Sequence, residues 1–369
     1  MGVRHVFGIV SIHNMPLFDA INRLGETRIV DVRHEQAGTH AADGYARTSG
    51  TLGVAICSTG PGTTNTVTGL YEAGFASSRV MLITGQTDSI DYGKGRAAGH
   101  EAENQLPMLR TVARAVESPR HTQDLAPAVY RVAANILSGR PQPGAIEMPI
   151  DLQYGRTSVP VGDPLPVHPI PPQQDALTRA AELIGNASKR IIIAGGGAVG
   201  GGASEKVQQL AESLNAPVFT SGNGRGVIPD DHPLSAGSFV TRPNMLAAIA
   251  DTDVVIAVGT RLRGPLDAWG RIPGKLVHID VDPQVHGLVL APTVSIIADA
   301  AEAISQLNEQ MNAAPGDEDF LSATKSAWQD IQASTRETIG PDMSDIMDTM
   351  RGMMERDSPF VRDMTMPAY

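Results

Sequence analysis

Residues 28–38 are Arg28-Ile29-Val30-Asp31-Val32-Arg33-His34-Glu35-Gln36-Ala37-Gly38, and a stretch of mostly small residues follows as far as Arg47. The first five residues are typical of a buried parallel strand, and the residues after them begin a helix. Glu35 is therefore expected at the carboxyl end of a strand, where open α/β sheets bind ligands. A helix-capping acid on a solvated loop would account for Glu35. It would not account for the small residues that follow Glu35, which would let a flat ligand lie close to the backbone.

The same alternation of strand and helix continues along the chain. Strands are predicted at 5–8, 28–32, 53–57, 79–84, 111–116 and 144–149, and again at 190–194, 217–220, 253–258, 275–280 and 293–297. This alternation predicts an α/β fold with two doubly wound parallel-sheet domains in tandem. Two further helices, at 319–334 and 344–356, and a strand at 360–366 predict the truncated start of a third domain.

Proline marks the boundary between the two domains. Six prolines lie between residues 156 and 176, which is typical of an extended linker. The predicted organisation is a first domain at 1–155, the linker at 156–176, a central domain at 177–312, and linker helices with the stub of a third domain at 313–369.

Composition limits the classes of partner. The net charge of -11 and the pI of about 5.3 argue against nucleic acid and anionic membranes. No apolar run reaches the length of a membrane span, and the first ten residues are strand-like, so no signal peptide is expected. The single cysteine, Cys57, cannot form an internal disulfide and is expected to be an inert core thiol. A reducing, cytoplasmic location is therefore predicted.

Methionines recur at helical spacing near the end of the sequence. Met343, Ile346, Met347, Met350, Met353 and Met354 are three or four residues apart or adjacent. An amphipathic helix docked on a core explains this pattern better than a cofactor site built from methionine.

The turn Ser58-Thr59-Gly60-Pro61-Gly62-Thr63-Thr64-Asn65 lies between a predicted strand and a predicted helix. Its backbone N–H groups could bind an anion, but the Lys-Ser or Lys-Thr pair of a Walker loop is absent. A tight turn is the simpler explanation for Gly-Pro-Gly. The neighbouring strand-to-helix turn carries Glu35, however, and this position favours a ligand site.

The run Gly195-Gly196-Gly197-Ala198-Val199-Gly200 satisfies the G-x-G-x-x-G pattern, which is weak evidence when it stands alone. The acidic residue that would bind a ribose is absent between Pro217 and Gly222, which argues against ordinary NAD binding. A nucleotide held in another manner stays open, because Gly259-Thr260-Arg261 and His278-Ile279-Asp280 close later strands at the same edge. No metal site is predicted, since His34, His40 and His100 are more simply explained as loop or packing residues.

Several of these motifs occur together in a fixed order: Arg33-His34-Glu35-Gln36, Ala42-Asp43-Gly44-Tyr45-Ala46-Arg47, the 58–65 turn and Ile83-Thr84-Gly85-Gln86. In this order they resemble the pyrimidine-binding domain of thiamine-diphosphate enzymes, and among these the acetolactate synthase branch. The resemblance extends to about residue 312, where the second domain looks like the family's central domain.

The resemblance implies roles for particular residues. Glu35 would hydrogen-bond the ring nitrogen of the aminopyrimidine and favour the imino tautomer that removes the thiazolium proton, a task for which a buried carboxylate is expected. The remaining thiamine-side residues would be Thr59, Pro61, Gly62, Asn65 and Gln86. FAD is a candidate second cofactor, and the positions that match its binding residues are Gly195, Gly196, Gly197, Ser221, Gly222, Asn223, Gly259, Thr260, Arg261 and Asp280.

The resemblance also implies an activity, namely condensation of 2-oxo acids such as pyruvate by a homodimer or tetramer, as in branched-chain amino acid biosynthesis. Two departures qualify it. Residues 99–105 replace the family's Phe-Gln-Glu segment, and no Gly-Asp-Gly exists to hold the diphosphate and Mg²⁺. The chain is therefore expected to be a fragment that is inactive alone. A 2-oxo acid decarboxylase or carboligase without FAD, and a non-catalytic nucleotide- or partner-binding remnant, are the alternatives.

Overall fold

A computed structural model describes residues 1–238, 241–264, 273–356, 358, 360 and 361. The chain divides into two compact units, Met1–Pro169 and Ile170–Tyr369. Each unit contains a parallel β-sheet, as the alternation of strands and helices predicts. A stretch without helix or strand, 155–173, precedes the first helix of the second unit, and that helix begins inside the predicted linker.

The first unit is built on a six-stranded parallel sheet in the order β2-β1-β3-β4-β6-β5. Its strands are β1 His5–Gly8, β2 Arg28–Asp31, β3 Gly53–Cys57, β4 Val80–Gln86, β5 Ala115–Glu117 and β6 Gly144–Pro149. Its helices are α1 Met15–Leu24, α2 Glu35–Ser49, α3 Pro61–Thr64, α4 Val67–Ala76, α5 Gln105–Leu109, α6 Leu125–Leu137 and α7 Ile150–Tyr154.

The small residues of α2 serve helix packing. Ala42 is fully buried, and a Cβ atom built on Gly53 of β3 would lie 2.0 Å from the Ala42 carbonyl oxygen. A Cβ atom on Gly69 of α4 would lie 2.2 Å from Thr39 Oγ1. These distances are far shorter than real contacts, so α2 can approach the sheet and α4 this closely only because glycine faces it. The small-residue pattern therefore reflects packing within the first unit.

The strand order places three connections side by side. β1 lies between β2 and β3, so the residues that follow these three strands meet at one edge of the sheet. This edge is the topological switch point of the sheet, where open α/β folds form a crevice. Glu35 follows β2 and the 58–62 turn follows β3, and both predicted motifs reach the same crevice.

The second unit has a five-stranded parallel sheet in the order β11-β10-β9-β7-β8. Its strands are β7 Arg190–Ala194, β8 Val218–Thr220, β9 Val254–Val258, β10 Lys275–Asp280 and β11 Val294–Ile297. Its helices are α8 Gln174–Gly185, α9 Gly196–Gly200, α10 Ser204–Leu214, α11 Pro243–Ala248, α12 Ala300–Gln310, α13 Glu318–Ile339 and α14 Pro341–Met353. Buried apolar residues cover both faces of this sheet, as expected for a doubly wound fold.

A buried arginine joins several chain segments in this unit. Arg190, at the start of β7, is 2% exposed. Its guanidinium group donates to the carbonyl oxygens of Ile184 and Ala314, both at 2.9 Å, and also to that of Ala187. Burial lowers the pKa of Arg190 from its ordinary value. The side chain thus ties the end of α8 to the segment that follows α12.

The methionine-rich helix differs from the prediction in one respect. α14 forms, but Ile346, Met347, Met350 and Met353 are exposed, so its apolar face is not docked on a core within the described part of the chain. Arg336 of α13 and Asp348 of α14 form a two-pronged ion pair that joins the two helices. Most of the strand expected at 360–366 lies outside the described residues.

Candidate functional site

Glu35 is the first residue of α2. The preceding residue, His34, has an extended backbone and its Nδ1 atom accepts a 3.2 Å hydrogen bond from the Gln36 backbone N–H group, which caps the helix. The helix is therefore capped by His34, and the Glu35 carboxylate is left to face the crevice. Glu35 is half-buried, and not buried as the sequence analysis expects.

The two oxygens of the Glu35 carboxylate differ in their hydrogen bonding among the residues that the structure describes. Asn65, which follows α3, donates a 2.9 Å hydrogen bond from Nδ2 to Glu35 Oε2. A Cβ atom built on Gly62 would lie 3.5 Å from Glu35 Oε1 and 2.9 Å from Ser58 Cβ. Oε1 accepts no hydrogen bond within the residues that the structure describes. Glu35, Gly62 and Asn65 are thus brought together, as predicted, around an unused acceptor atom.

The turn after β3 is held in a conformation that requires glycine. Gly60 has φ +57° and ψ −115°, and a Cβ atom there would lie 2.8 Å from the His100 carbonyl oxygen. Pro61 then begins α3. The N–H groups of Gly60 and Gly62 donate to Gln105 Oε1 and to the Thr59 carbonyl oxygen, so the turn does not offer them to an anion.

Behind the turn lies a group of buried polar side chains, Thr59, Gln86, Gln105 and Glu147, which we call the amide cluster. Glu147 Oε2 accepts hydrogen bonds from Gln105 Nε2 at 2.9 Å and from Gln86 Nε2 at 3.1 Å. Thr59 Oγ1 donates toward the Oε1 atoms of Gln105 and Gln86, at 3.0 and 3.2 Å. The side chains of Thr59 and Gln86, both predicted as thiamine-side residues, are therefore engaged inside the protein.

Gln105 and Glu147 were not among the predicted site residues. Glu147 could have been noticed, because it is a charged residue in the middle of the apolar run that forms β6. Burial raises the pKa of Tyr92 to about 12, and the adjacent Glu147 carboxylate adds to the shift. Gln105 gave no such indication, since it is the first residue of a five-residue helix that follows a polar stretch.

His13 is a further residue that sequence reasoning did not identify. It follows β1, is almost fully buried, and its Nδ1 atom lies 3.3 Å from Ser58 Oγ. Its ring meets that of His100 edge to face, with 6.2 Å between centroids. Burial lowers the pKa of His13, and the charge of His100 lowers it further. His13 thus lies beside the 58–62 turn, next to Ser58 and His100.

In the second unit, two glycine-containing turns interlock at the sheet edge. A Cβ atom built on Gly195 would lie 2.2 Å from the Gly259 carbonyl oxygen, and one on Gly197 would lie 2.8 Å from Gly259 Cα. Gly259 itself has φ +57°. The Gly197 N–H group donates to the Gly259 carbonyl oxygen at 3.0 Å. The first three glycines of the G-x-G-x-x-G match therefore lie where two turns pack backbone to backbone.

The other predicted nucleotide-side residues surround this edge. Asn223 contacts the turn, since a Cβ atom on Gly196 would lie 3.0 Å from Asn223 Cβ. Ser221 and Gly222 stand at the start of the short turn after β8 and Arg261 follows Thr260, while Thr260 and Asp280 are nearly buried. His278 Nε2 donates a 2.8 Å hydrogen bond to the Thr260 carbonyl oxygen. The structure thus brings these residues to one edge of the second sheet.

No group of three or more His, Cys, Asp or Glu side chains is arranged to hold a metal ion among the residues that the structure describes. Nor does any helix in the same ranges combine the length and the apolar character that crossing a membrane requires.

Two family models match the chain. The N-terminal TPP binding domain of thiamine pyrophosphate enzymes matches residues 1–108, and the central domain of these enzymes matches residues 177–307. The chain belongs to the thiamine pyrophosphate enzyme family. The first match contains Glu35, the 58–62 turn and Gln86, and the second contains both glycine turns of the second unit.

Relatives of this chain carry the names of several activities. A probable acetolactate synthase large subunit of Methanocaldococcus jannaschii is 32% identical over 324 residues, which cover 83% of this chain and 53% of that protein. A probable 2-ketoarginine decarboxylase of Pseudomonas aeruginosa is 33% identical over 311 residues, 83% of this chain and 55% of that protein. Glyoxylate carboligase of Escherichia coli O157:H7 is 32% identical over 324 residues, 84% of this chain and 53% of that protein. The chain spans about half the length of these curated relatives.

Proposed function

We propose that this thiamine pyrophosphate enzyme is acetolactate synthase-like and belongs to a protein that condenses 2-oxo acids, such as pyruvate, by decarboxylation and carboligation, as in branched-chain amino acid biosynthesis. The observation that carries the proposal is the Glu35 carboxylate, which Asn65 holds by Oε2 and which leaves Oε1 open beside Gly62. The name of the Methanocaldococcus relative, a probable acetolactate synthase large subunit, supports the synthase assignment.

The residues of the first unit fit the pyrimidine half of thiamine diphosphate. The cofactor, when bound, supplies a nucleophilic carbon for the carbonyl group of the 2-oxo acid and an electron sink for decarboxylation. Glu35 Oε1 is an unused acceptor that can take a hydrogen bond from a protonated ring nitrogen. Gly62 leaves space next to this oxygen that any side chain would fill. Glu35 would thus hold and return a proton at that nitrogen, and Asn65 would keep the carboxylate in place.

We assign the diphosphate and its Mg²⁺ to no residue of this chain, because its sequence contains no Gly-Asp-Gly. In the second unit, FAD is the proposed ligand of the Gly195–Gly197 and Gly259–Arg261 turns, with Ser221, Gly222, Asn223 and Asp280 around them. An enzyme without FAD is the first alternative. A purified protein that absorbs as a flavin would favour the synthase, and a colourless one the FAD-independent decarboxylase or carboligase.

A homodimer or tetramer is part of the proposal. Tyr71 and Phe75 of α4 are 67% and 61% exposed, and they lie on the helix that follows Asn65. Exposed aromatic side chains this large are typical of protein–protein contacts. A second copy that covers α4 would therefore reach the crevice around Glu35. We also propose a cytoplasmic location, which suits the single buried thiol.

The test is carbon dioxide release from pyruvate by the full-length product of the reading frame, with thiamine diphosphate and Mg²⁺ added. Glu35→Gln is expected to lower the rate at least about a hundredfold, because it removes the group that handles the proton. Glu26→Gln, which changes an exposed acid in the same unit, should leave the rate unchanged. Equal rates in the Glu35→Gln variant and the parent would refute the proposal. Failure of the parent to bind thiamine diphosphate would favour the non-catalytic alternative.

A further inference from the structure

The amide cluster contains a carboxylate that is completely withdrawn from water. The side chains of Thr59, Gln86 and Glu147 are 0% exposed and that of Gln105 is 2% exposed. An ionised carboxylate can only accept hydrogen bonds. Glu147 accepts them from both glutamines and from Ser118 Oγ at 3.1 Å. The cost of burying the charge is therefore offset by three donors that converge on it.

This carboxylate determines how the two glutamine amides are oriented. Each amide must turn its NH₂ group toward Glu147, because its oxygen would meet another acceptor there. The oxygen of each amide consequently faces the other way. Gln105 Oε1 accepts the Gly60 N–H group at 2.8 Å, and Gln86 Oε1 accepts the Thr87 N–H group at 2.8 Å.

The hydrogen bond to Gly60 acts on the segment that faces Glu35. Gly60 has φ +57°, one of several backbone conformations open to glycine, so its hydrogen bond to Gln105 Oε1 helps to select this one. Pro61 and Gly62 follow at once, and α3 then leads to Asn65, which binds Glu35. A contiguous series of contacts therefore runs from Glu147 through Gln105 and the turn to the Glu35 carboxylate.

We propose that Gln105, oriented by the buried Glu147, is a positioning residue that sets the Gly60–Gly62 turn and Asn65 against Glu35. The inference rests on the proposed function for its catalytic consequence, but the placement of the turn can be tested without any cofactor. Loss of the Gln105 amide would leave the Gly60 N–H group buried and unpaired, so the turn would move or open.

The first experiment is amide hydrogen exchange at Gly60 in the protein without ligands. Gln105→Met and Glu147→Leu are expected to speed this exchange at least tenfold. Glu147→Gln should keep most of the protection, since its amide oxygen can still accept from both glutamines while its NH₂ group faces Ser118 Oγ. The matched control is Gln142→Met, which removes a glutamine that donates to the Gly74 carbonyl oxygen elsewhere in the same unit.

The second experiment uses the full-length product of the reading frame and follows deuterium exchange at the thiazolium carbon of thiamine diphosphate added together with Mg²⁺. Gln105→Met is expected to slow it at least tenfold while the cofactor Kd changes less than threefold. Unchanged Gly60 protection in Gln105→Met overturns the inference, and so does equal loss of protection in Glu147→Gln and Glu147→Leu. If Glu147→Leu fails to fold, Gln105→Met and Glu147→Gln still decide whether Gln105 positions the Gly60–Gly62 turn. A parent that binds no thiamine diphosphate overturns the proposed function, whereas the Gly60 result still decides how the turn is placed.

Discussion

The side-chain amide of Asn65 lies 2.9 Å from Glu35 Oε2, although thirty residues separate the two in sequence. The contact exists because β1 places the connections after β2 and β3 on either side of itself. It fixes one carboxylate oxygen and directs the other toward Gly62. The pair is therefore the part of the proposed site that mutation can probe most directly.

Asn65→Asp is expected to destabilise the first unit in a pH-dependent manner. Two carboxyl groups would stand within hydrogen-bond distance, and their repulsion at pH 8 should cost about 1 kcal/mol of unfolding free energy. The cost should vanish near pH 4, where carboxyl groups take up protons. Thermal melts at the two pH values measure this difference. Asn65→Ser is the uncharged control, and a melting shift for Asn65→Asp that is the same at both pH values would contradict the prediction.

Cys57 is expected to be inert in the folded protein. Its side chain is 1% exposed, and burial raises the pKa of the thiol to about 12. A thiol reagent at pH 8 should therefore label Cys57 only as fast as the chain unfolds, and rapidly once guanidinium has been added. Ser49→Cys supplies an exposed thiol as a positive control. Rapid labelling of the native parent would show that the thiol is accessible after all.

His278 should make the second unit sensitive to acid. It is 1% exposed, and burial lowers its pKa from 6.5 to about 4, with a smaller contribution from the charge of His286. The unfolded chain therefore binds a proton near pH 6.5 that the native chain does not bind until about pH 4. The contribution of His278 to the free energy of unfolding of the second unit is therefore fully present above pH 6.5. It is lost as the pH falls, by about 2 kcal/mol between pH 7.5 and 5. Denaturant titrations at both values test this.

The control for that titration is His278→Gln. A glutamine can still donate to the Thr260 carbonyl oxygen but cannot titrate, so the stability of this variant should fall less between pH 7.5 and 5. A parent and a variant with the same pH dependence would mean that His278 contributes nothing to it.

Arg190→Met should destabilise the second unit by about 3 kcal/mol, because the carbonyl oxygens of Ile184, Ala187 and Ala314 would lose their donor in a buried setting. Urea denaturation gives the value. Lys189→Met is the neighbouring control. Its ion pair with the exposed Asp251 is long, at 3.4 Å, and is expected to contribute less than about 1 kcal/mol. If both variants lost the same free energy of unfolding, the buried Arg190 guanidinium would stabilise the unit no more than Lys189 does.

The strands of both sheets could be predicted because each is a short apolar run that is recognisable from the local sequence alone. β3, with Gly-Val-Ala-Ile-Cys, and β7, with Arg-Ile-Ile-Ile-Ala, form with the predicted bounds. α8 was not predicted. It begins at Gln174, inside the proline-rich segment that was predicted to be a linker. The docking of α14 was predicted wrongly, since a periodic apolar face indicates a helix but not what covers it.

The site was predictable only where a motif marks a turn. Glu35 and Gly62 stand in such motifs, and the structure brings them together. The series from Gln105 to Glu147 was not predictable, because these residues are 42 positions apart and meet only when β4 pairs with β6. Single-sequence periodicity carries no information about which strands become neighbours.

The interlocked turns at Gly195–Gly197 and Gly259 have a consequence for how sequences of this kind are compared. Each turn excludes side chains from the other, so neither can change alone without a collision. Under the proposed function, a descendant that no longer bound a nucleotide would still be under selection to keep these glycines, whereas Ser221 and Asn223 would be free to change. Retention of those two polar residues would therefore favour the proposed ligand more than retention of the glycines does.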